Sequence, residues 1–166
     1  MASFFEADDT YRGYHSTALL LPDAQVMTGG GDYLDSNMME IFSPPYLFKP
    51  NSNDPADQPI ITSAPTAVSY GASFTVQIAP PPTPQNITRA TFLRSGSVTH
   101  SFNMEQRFLE LMTLGGPGPA VQVTAPANSK LAPPGYYLLF LINNLGVPSK
   151  PDPLSPTVTT IIKLQS

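Results

Sequence analysis

Cysteine and tryptophan are both absent from this chain of 166 residues. The missing cysteine excludes disulfides, thiolate metal sites and a cysteine nucleophile together, and it leaves the redox compartment open because nothing here depends on it. Charge is scarce: 8 Lys and Arg stand against 12 Asp and Glu, a net charge of −4. With no basic stripe to release counterions from a phosphate backbone and no cationic face for an anionic membrane, nucleic acid is not expected as a partner. Long apolar runs are lacking too. The longest, "YYLLFLI" at 136–142, falls far short of the ~20 residues of a spanning helix, so no membrane span is expected and the chain reads as soluble. The start, "MASFFEADDT", is acidic, has no basic region followed by an apolar run, and is not a signal peptide as written.

What the sequence has in quantity is punctuation. Between 20 prolines and 11 glycines lie short runs rich in Val, Ile, Thr, Phe and Tyr, an all-β pattern. Strands are predicted at 17–21, 26–29, 39–42, 73–78, 88–94, 107–113, 120–125, 136–142 and 157–164. "SFTVQI" alternates apolar and polar as a half-buried antiparallel strand does, while "YYLLFLI" is apolar throughout and suits the centre of a sandwich. Strands at this spacing imply a two-sheet, immunoglobulin-like sandwich. Composition shifts at "KPNSNDPADQP", 49–59, which reads as a linker; residues 60–166 then hold the sandwich. Residues 1–48 offer only two or three strands and a "TGGG" turn at 28–31. They are too few to close a sheet, so they must pack on the sandwich or on something else.

Only two histidines occur, His15 in "GYHS" and His100 in "VTHS". From the residues alone they are either two halves of one metal site or two structural histidines, and both readings stay open. Glu105, Gln106 and Arg107 follow His100 and suit either a substrate rim or a charge pair holding the loop. "NIT" at Asn86–Thr88 is a glycosylation sequon that matters in a secreted eukaryotic protein. "GGG" at 29–31 lacks the helix and the lysine of a phosphate loop and reads as a turn. The proline tracts "APPPTP" and "GGPGP" read as stiff inter-strand loops, with recognition by proline-binding modules the lesser alternative.

Five blocks carry a family resemblance: "GYHSTALLLPD" (13–23), "MEIFSPPYLF" (39–48), "GSVTHSFNMEQRF" (96–108), "APPGYYLLFL" (132–141) and "GVPS" (146–149). In order and in register, they resemble the carboxy-terminal part of galactose oxidase and glyoxal oxidase, the copper radical oxidases. The resemblance implies the end of a kelch-type propeller, residues 1–48, followed after the linker at 49–59 by an early-set immunoglobulin-like domain at 60–166. The expected fold is therefore an all-β early-set sandwich preceded by a few strands of an incomplete blade. Propeller blades are four-stranded sheets, and a whole propeller cannot be drawn from this chain. The resemblance thus implies a propeller supplied in cis or in trans, and an extracellular setting.

In that family two histidine nitrogens and two tyrosine oxygens hold copper. The resemblance places Tyr14, His15 and His100 among these ligands, with Tyr14 as axial ligand and general base. Imidazole and oxygen donors suit Cu(II). Neighbours on an extended strand point to opposite faces, so Tyr14 and His15 can share one ion only if the backbone bends, a freedom the preceding Gly13 offers. The family radical sits on a tyrosine crosslinked to cysteine, which this chain cannot build. Two functions are therefore expected as alternatives. One is the carboxy-terminal portion of an oxidase of small alcohols, aldehydes or carbohydrates, not active alone. The other is a non-catalytic early-set module that binds carbohydrate or a protein partner.

Overall fold

The computed structural model describes residues 12–32, 38–83, 86–100, 102–114 and 118–166. The acidic start, Ser101 of the Thr-His-Ser triplet and most of the "GGPGP" tract lie outside the described residues. Among the described residues all regular structure is strand apart from one 3-10 turn at Pro45–Leu47, and no helix is long and apolar enough to cross a membrane.

The first three strands, β1 (Ser16–Leu20), β2 (Val26–Gly30) and β3 (Met39–Phe42), form an antiparallel sheet in the order β1-β2-β3. The next strands are β4 (Ile60–Ser63), β5 (Ala67–Ser69), β6 (Ser73–Ile78) and β7 (Ile87–Arg94). A small hairpin of β8 (Val98–Thr99) and β9 (Phe102–Asn103) follows. Then come β10 (Phe108–Leu114), β11 (Ala120–Thr124), β12 (Gly135–Asn143), β13 (Lys150–Pro151) and β14 (Ile161–Gln165). Apart from the hairpin, these build one nine-stranded sheet ordered β13-β4-β6-β11-β10-β7-β12-β14-β5. The sheet curls at β10, whose first half, Phe108–Leu111, pairs with β7 while Met112–Leu114 pairs with β11. Its two halves face one another. Phe74 on β6 stacks on Phe92 of β7 with ring centroids 6.3 Å apart, and Phe92 in turn lies 5.4 Å from Tyr137 on β12. Ile61, Val76, Val121, Leu139, Leu141 and Ile162 complete a buried core, each worth about 1.5–3 kcal/mol of apolar burial. The all-β sandwich expected from the sequence is thus the fold.

The all-apolar run on β12 has a definite cause. Tyr137, Leu139 and Leu141 face the sandwich core, as the alternation of a strand requires. Leu138 and Phe140, on the other face, pack with Ala24 and Leu47 in a second cluster, with Leu20 and Phe48 against it. β12 is therefore covered on both faces, and its outer face is the seam that fixes the first sheet on the sandwich. The stretch 49–59 is tied to both sides of this seam. Ala56 N donates to Leu47 O at 2.8 Å, and the Gln58 side chain donates to Asp23 O and Pro148 O at 3.0 and 3.1 Å. Tyr46 adds a hydroxyl donated to Ala24 O at 2.8 Å. Burial, reinforced by the nearby Asp23 carboxylate, raises the Tyr46 pKa and keeps the donor protonated.

Some strand expectations need correction. β4 and β5, of four and three residues, carry too short an apolar pattern to be read between their flanking prolines. β5 is placed by parallel pairing with distant β14, and β4 lies between parallel β13 and antiparallel β6. The predicted strand at 157–164 begins only at Ile161. The strand predicted at 26–29 is present and runs one residue further, to Gly30 opposite Ser16, so of the "TGGG" stretch read as a turn at 28–31 only Gly31 lies beyond β2.

Candidate metal centre

Tyr14 and His15 sit at the entry to β1. Ser16 N donates to Gly13 O at 3.1 Å, closing a turn with Tyr14 and His15 at its centre. The bend expected at this point is present, but it is made at His15 rather than Gly13: His15 has φ 65°, in the left-handed region that non-glycine residues seldom occupy. Gly30 makes room for it. A Cβ on Gly30, itself at φ +73°, would stand 2.7 Å from the His15 carbonyl oxygen. The glycine run is thus the backing of the histidine turn.

His100 lies at the tip of the β8–β9 hairpin. Thr99 pairs with Phe102, which leaves a two-residue connection that starts at His100. Tight connections of this kind need positive φ at their first central residue and favour Gly or Asn there. Here histidine takes the position at φ 53°. Both histidines thus hold a backbone state that costs on the order of 1 kcal/mol. Tyr14, His15 and His100 are all exposed, and their rings converge. Centroids are 4.1 Å apart for Tyr14–His15, 5.4 Å for Tyr14–His100 and 5.2 Å for His15–His100. The structure therefore brings together all three residues singled out from the sequence.

Thr99 Oγ1 lies 2.8 Å from His100 Nδ1. In the tautomer that donates Nδ1–H to this hydroxyl, the Nε2 lone pair is the free donor, the arrangement by which outer partners orient metal-ligating histidines. No group of three or more His, Cys, Asp or Glu able to hold a metal occurs among the described residues. The ring of Tyr14 stands beside both imidazoles, so its phenol is the oxygen donor that the resemblance implies for this set. Two imidazoles and a phenol form a donor set that fits Cu(II).

A hairpin with two-residue strands is not stable alone, and its supports explain why His100 stays in place. At its base, a Cβ on Gly96 would stand 2.9 Å from Leu19 Cδ2, so the hairpin lies close against the β1 side chain, and a larger residue there would have to push that methyl aside. Asn103 Oδ1 accepts from Ser97 N and Glu105 N at 3.2 and 3.0 Å. Arg94, at the end of β7, forms an ion pair with Glu105. Arg94 is itself held by Pro133 O at 3.1 Å and the Tyr137 hydroxyl at 3.4 Å, with its guanidinium 5.7 Å from the Tyr137 ring centroid. The Tyr137 hydroxyl donates to Pro133 O at 2.6 Å. A strut thus runs from a fully buried tyrosine, through Arg94 and Glu105, to the histidine loop.

Of the two roles open to residues 105–107, Glu105 and Arg107 take the loop-holding one, since Arg107 Nη1 donates to Leu131 O at 2.7 Å. Gln106 lines a cleft of about 290 Å³ between the first sheet and the hairpin, with Arg12, Thr28 and Val98. Sequence reasoning missed Arg94 and Thr99 as supports. Thr99 could have been suspected as the neighbour of His100; nothing local marks Arg94. Glu105→Ala is expected to cost ~1 kcal/mol and to speed amide exchange selectively over residues 97–104, with Glu105→Gln showing a smaller effect. Exchange mass spectrometry checks this, and unaltered exchange across the hairpin would show that the pair does not hold it.

A galactose oxidase-like early set domain model matches residues 58–152. The chain belongs to the galactose oxidase-like early set family. The match runs from β4 through β13 and includes the His100 hairpin, while Tyr14 and His15 precede it. The early-set chain is 37% identical over 147 residues to a galactose oxidase of Gibberella zeae, covering 83% of this chain and 20% of that protein. It is 38% identical over 157 residues to an aldehyde oxidase of Arabidopsis thaliana, covering 83% of this chain and 25% of that one. Among solved structures, a fungal alcohol oxidase of the AA5 family in complex with copper superposes with TM-score 0.78 at 32% identity, covering 97% of this chain and 33% of that one. The early-set chain thus spans only a fifth to a third of the length of these relatives.

Proposed function

We propose that this chain is the carboxy-terminal portion of a copper radical oxidase of the galactose oxidase and glyoxal oxidase type. It contributes Tyr14, His15 and His100 to a copper site completed by a kelch-type propeller in cis or in trans. The reaction class is the two-electron oxidation of an alcohol or aldehyde with reduction of dioxygen to hydrogen peroxide. The observation that carries the reading is the convergence of these three rings from two separate turns, each with a histidine at positive φ. Stored backbone strain at paired donors is what a site held for a ligand produces. The open first sheet supports an absent partner: Met39 and Ile41 on its edge strand β3 are 73% and 60% exposed, an uncovered apolar edge of the kind proteins otherwise bury. An extracellular setting goes with this reading.

The chemistry of the chain's own residues follows. His15 and His100 present imidazole nitrogens, and Thr99 sets which nitrogen of His100 is free. Tyr14, exposed beside the two imidazole rings, would take the proton of a substrate hydroxyl at its phenolic oxygen. Copper, when bound, would supply one-electron redox chemistry and Lewis acidity toward the substrate oxygen. With no cysteine in the sequence, the crosslinked tyrosine that carries the radical must come from outside these residues. That same absence favours the second reading, a non-catalytic early-set module for carbohydrate or a protein partner.

Copper titration of the chain against a competing chelator separates the two. The oxidase reading expects one tight Cu(II) per chain with nitrogen superhyperfine structure in its electron paramagnetic resonance spectrum; no binding beyond that of a surface histidine would sink it. The chain alone is expected to produce no alcohol- or aldehyde-dependent peroxide above the free-copper background. Turnover above that level would refute the argument from the missing cysteine.

A further inference from the structure

We infer that Asn86 is an N-glycosylation site whose glycan is attached before β7 docks and then stands at the end of the sandwich opposite the histidine hairpin. Asn86-Ile87-Thr88 is the only Asn-X-Ser/Thr triplet in the sequence. Its geometry suits a modified asparagine. Ile87 is 2% exposed and anchors the start of β7 in the core, whereas Asn86 and Thr88 on either side are exposed, as alternation along a strand dictates. The Asn86 carbonyl accepts from Asn144 N at 3.0 Å, so the backbone is fixed, while its side-chain amide makes no hydrogen bond among the described residues. A bulky polar substituent there displaces no packing.

β7 runs from this point for eight residues, Ile87–Arg94, about 25 Å of strand, before the chain turns into the hairpin of His100. A glycan at Asn86 therefore leaves Tyr14, His15 and His100 open. It would shield the loop ends around Asn144 instead.

In the transfer, Asn86 Nδ2 bonds to the anomeric carbon of a polyprenyl-diphosphate-linked oligosaccharide. The bond from that carbon to the diphosphate oxygen breaks, the amide loses one proton, and polyprenyl diphosphate leaves. No oxidant or reductant is needed. Timing follows from Thr88, whose hydroxyl is the recognition element of the sequon. In the folded chain this hydroxyl hydrogen bonds to Ile142 O and Asn143 O, both at 3.3 Å, where β12 shifts register against β7. Transfer therefore belongs to the chain before β7 and β12 pair.

The inference rests on the extracellular setting proposed above but not on copper, so loss of the copper reading leaves its test untouched. The test is secretion from a eukaryotic host behind a cleavable signal, followed by peptide N-glycosidase digestion. Wild type and Thr88→Ser, which keeps both sequon and hydroxyl, are expected to gain mobility on digestion, and Asn86→Gln is expected not to. Mass spectrometry of the digested wild type, which needs no variant to fold, should find aspartate at position 86. A secreted wild type that is unchanged by digestion, or a shift that persists in Asn86→Gln, would overturn the assignment.

Discussion

His100→Asn is expected to abolish tight copper binding while raising thermal stability. Asparagine tolerates the left-handed conformation that His100 holds at φ 53° and is favoured in two-residue hairpin turns, so relief of strain should contribute about 0.5 kcal/mol. For a chain of this size that is a rise of roughly 1–2 °C in Tm. The same change removes the imidazole whose ring lies 5.2 Å from that of His15. Loss of an outer-shell partner alone costs about 10–100-fold in metal affinity, so loss of a ligand should exceed that. His15→Ala is expected to lose copper equally, without the gain in stability, since alanine is no better suited to φ 65°. Chelator competition together with thermal melts reads both effects. Copper affinity unaltered by either change would rule out a shared site. Opposite movement of stability and affinity is the signature of a residue retained for its ligand at the expense of its backbone.

The fold was legible wherever a strand is long enough to show a period. "SFTVQI" becomes β6 with its alternation intact, Ser73–Ile78, and Met39–Phe42 is a strand at the expected residues. It was illegible where pairing is non-local: nothing inside Ala67–Ser69 announces a parallel partner at Lys163–Gln165. The "YYLLFLI" run gave the right element for half of the reason. Its inner face fills the sandwich, but its outer face meets Ala24 and Leu47, a seam that no local pattern distinguishes from deeper burial. At the site, the identities of Tyr14, His15 and His100 were legible through resemblance, whereas the backbone device was not. Gly13 drew attention as the flexible residue, yet the positive φ values fall on the histidines and on Gly30. The Arg94–Glu105 strut needed the fold itself, because its partners are on β7 and beyond the hairpin and meet only when β8 and β9 fold back.

Phe140→Ala is expected to cost about 3–5 kcal/mol, and the more informative result is where that cost falls. Phe140 is 3% exposed and belongs to the outer face of β12, against Ala24 and Leu47; Leu139, fully buried, faces the sandwich core instead. Leu139→Ala should destabilise by a comparable ~2–5 kcal/mol. The two changes differ in what they release. A cavity at Leu139 weakens the sandwich and leaves the seam in place. One at Phe140 loosens the first sheet on the sandwich, and with it the register of Tyr14 and His15 against His100, which belong to opposite sides of that seam. Under conditions where both variants remain folded, copper affinity should therefore fall more in Phe140→Ala than in Leu139→Ala for the same loss in denaturant-unfolding free energy. Equal losses of affinity per unit of stability would show that the three rings are held by their own turns and not by the seam. The expected inequality instead makes β12, remote in sequence from both histidines, the element that assembles the site.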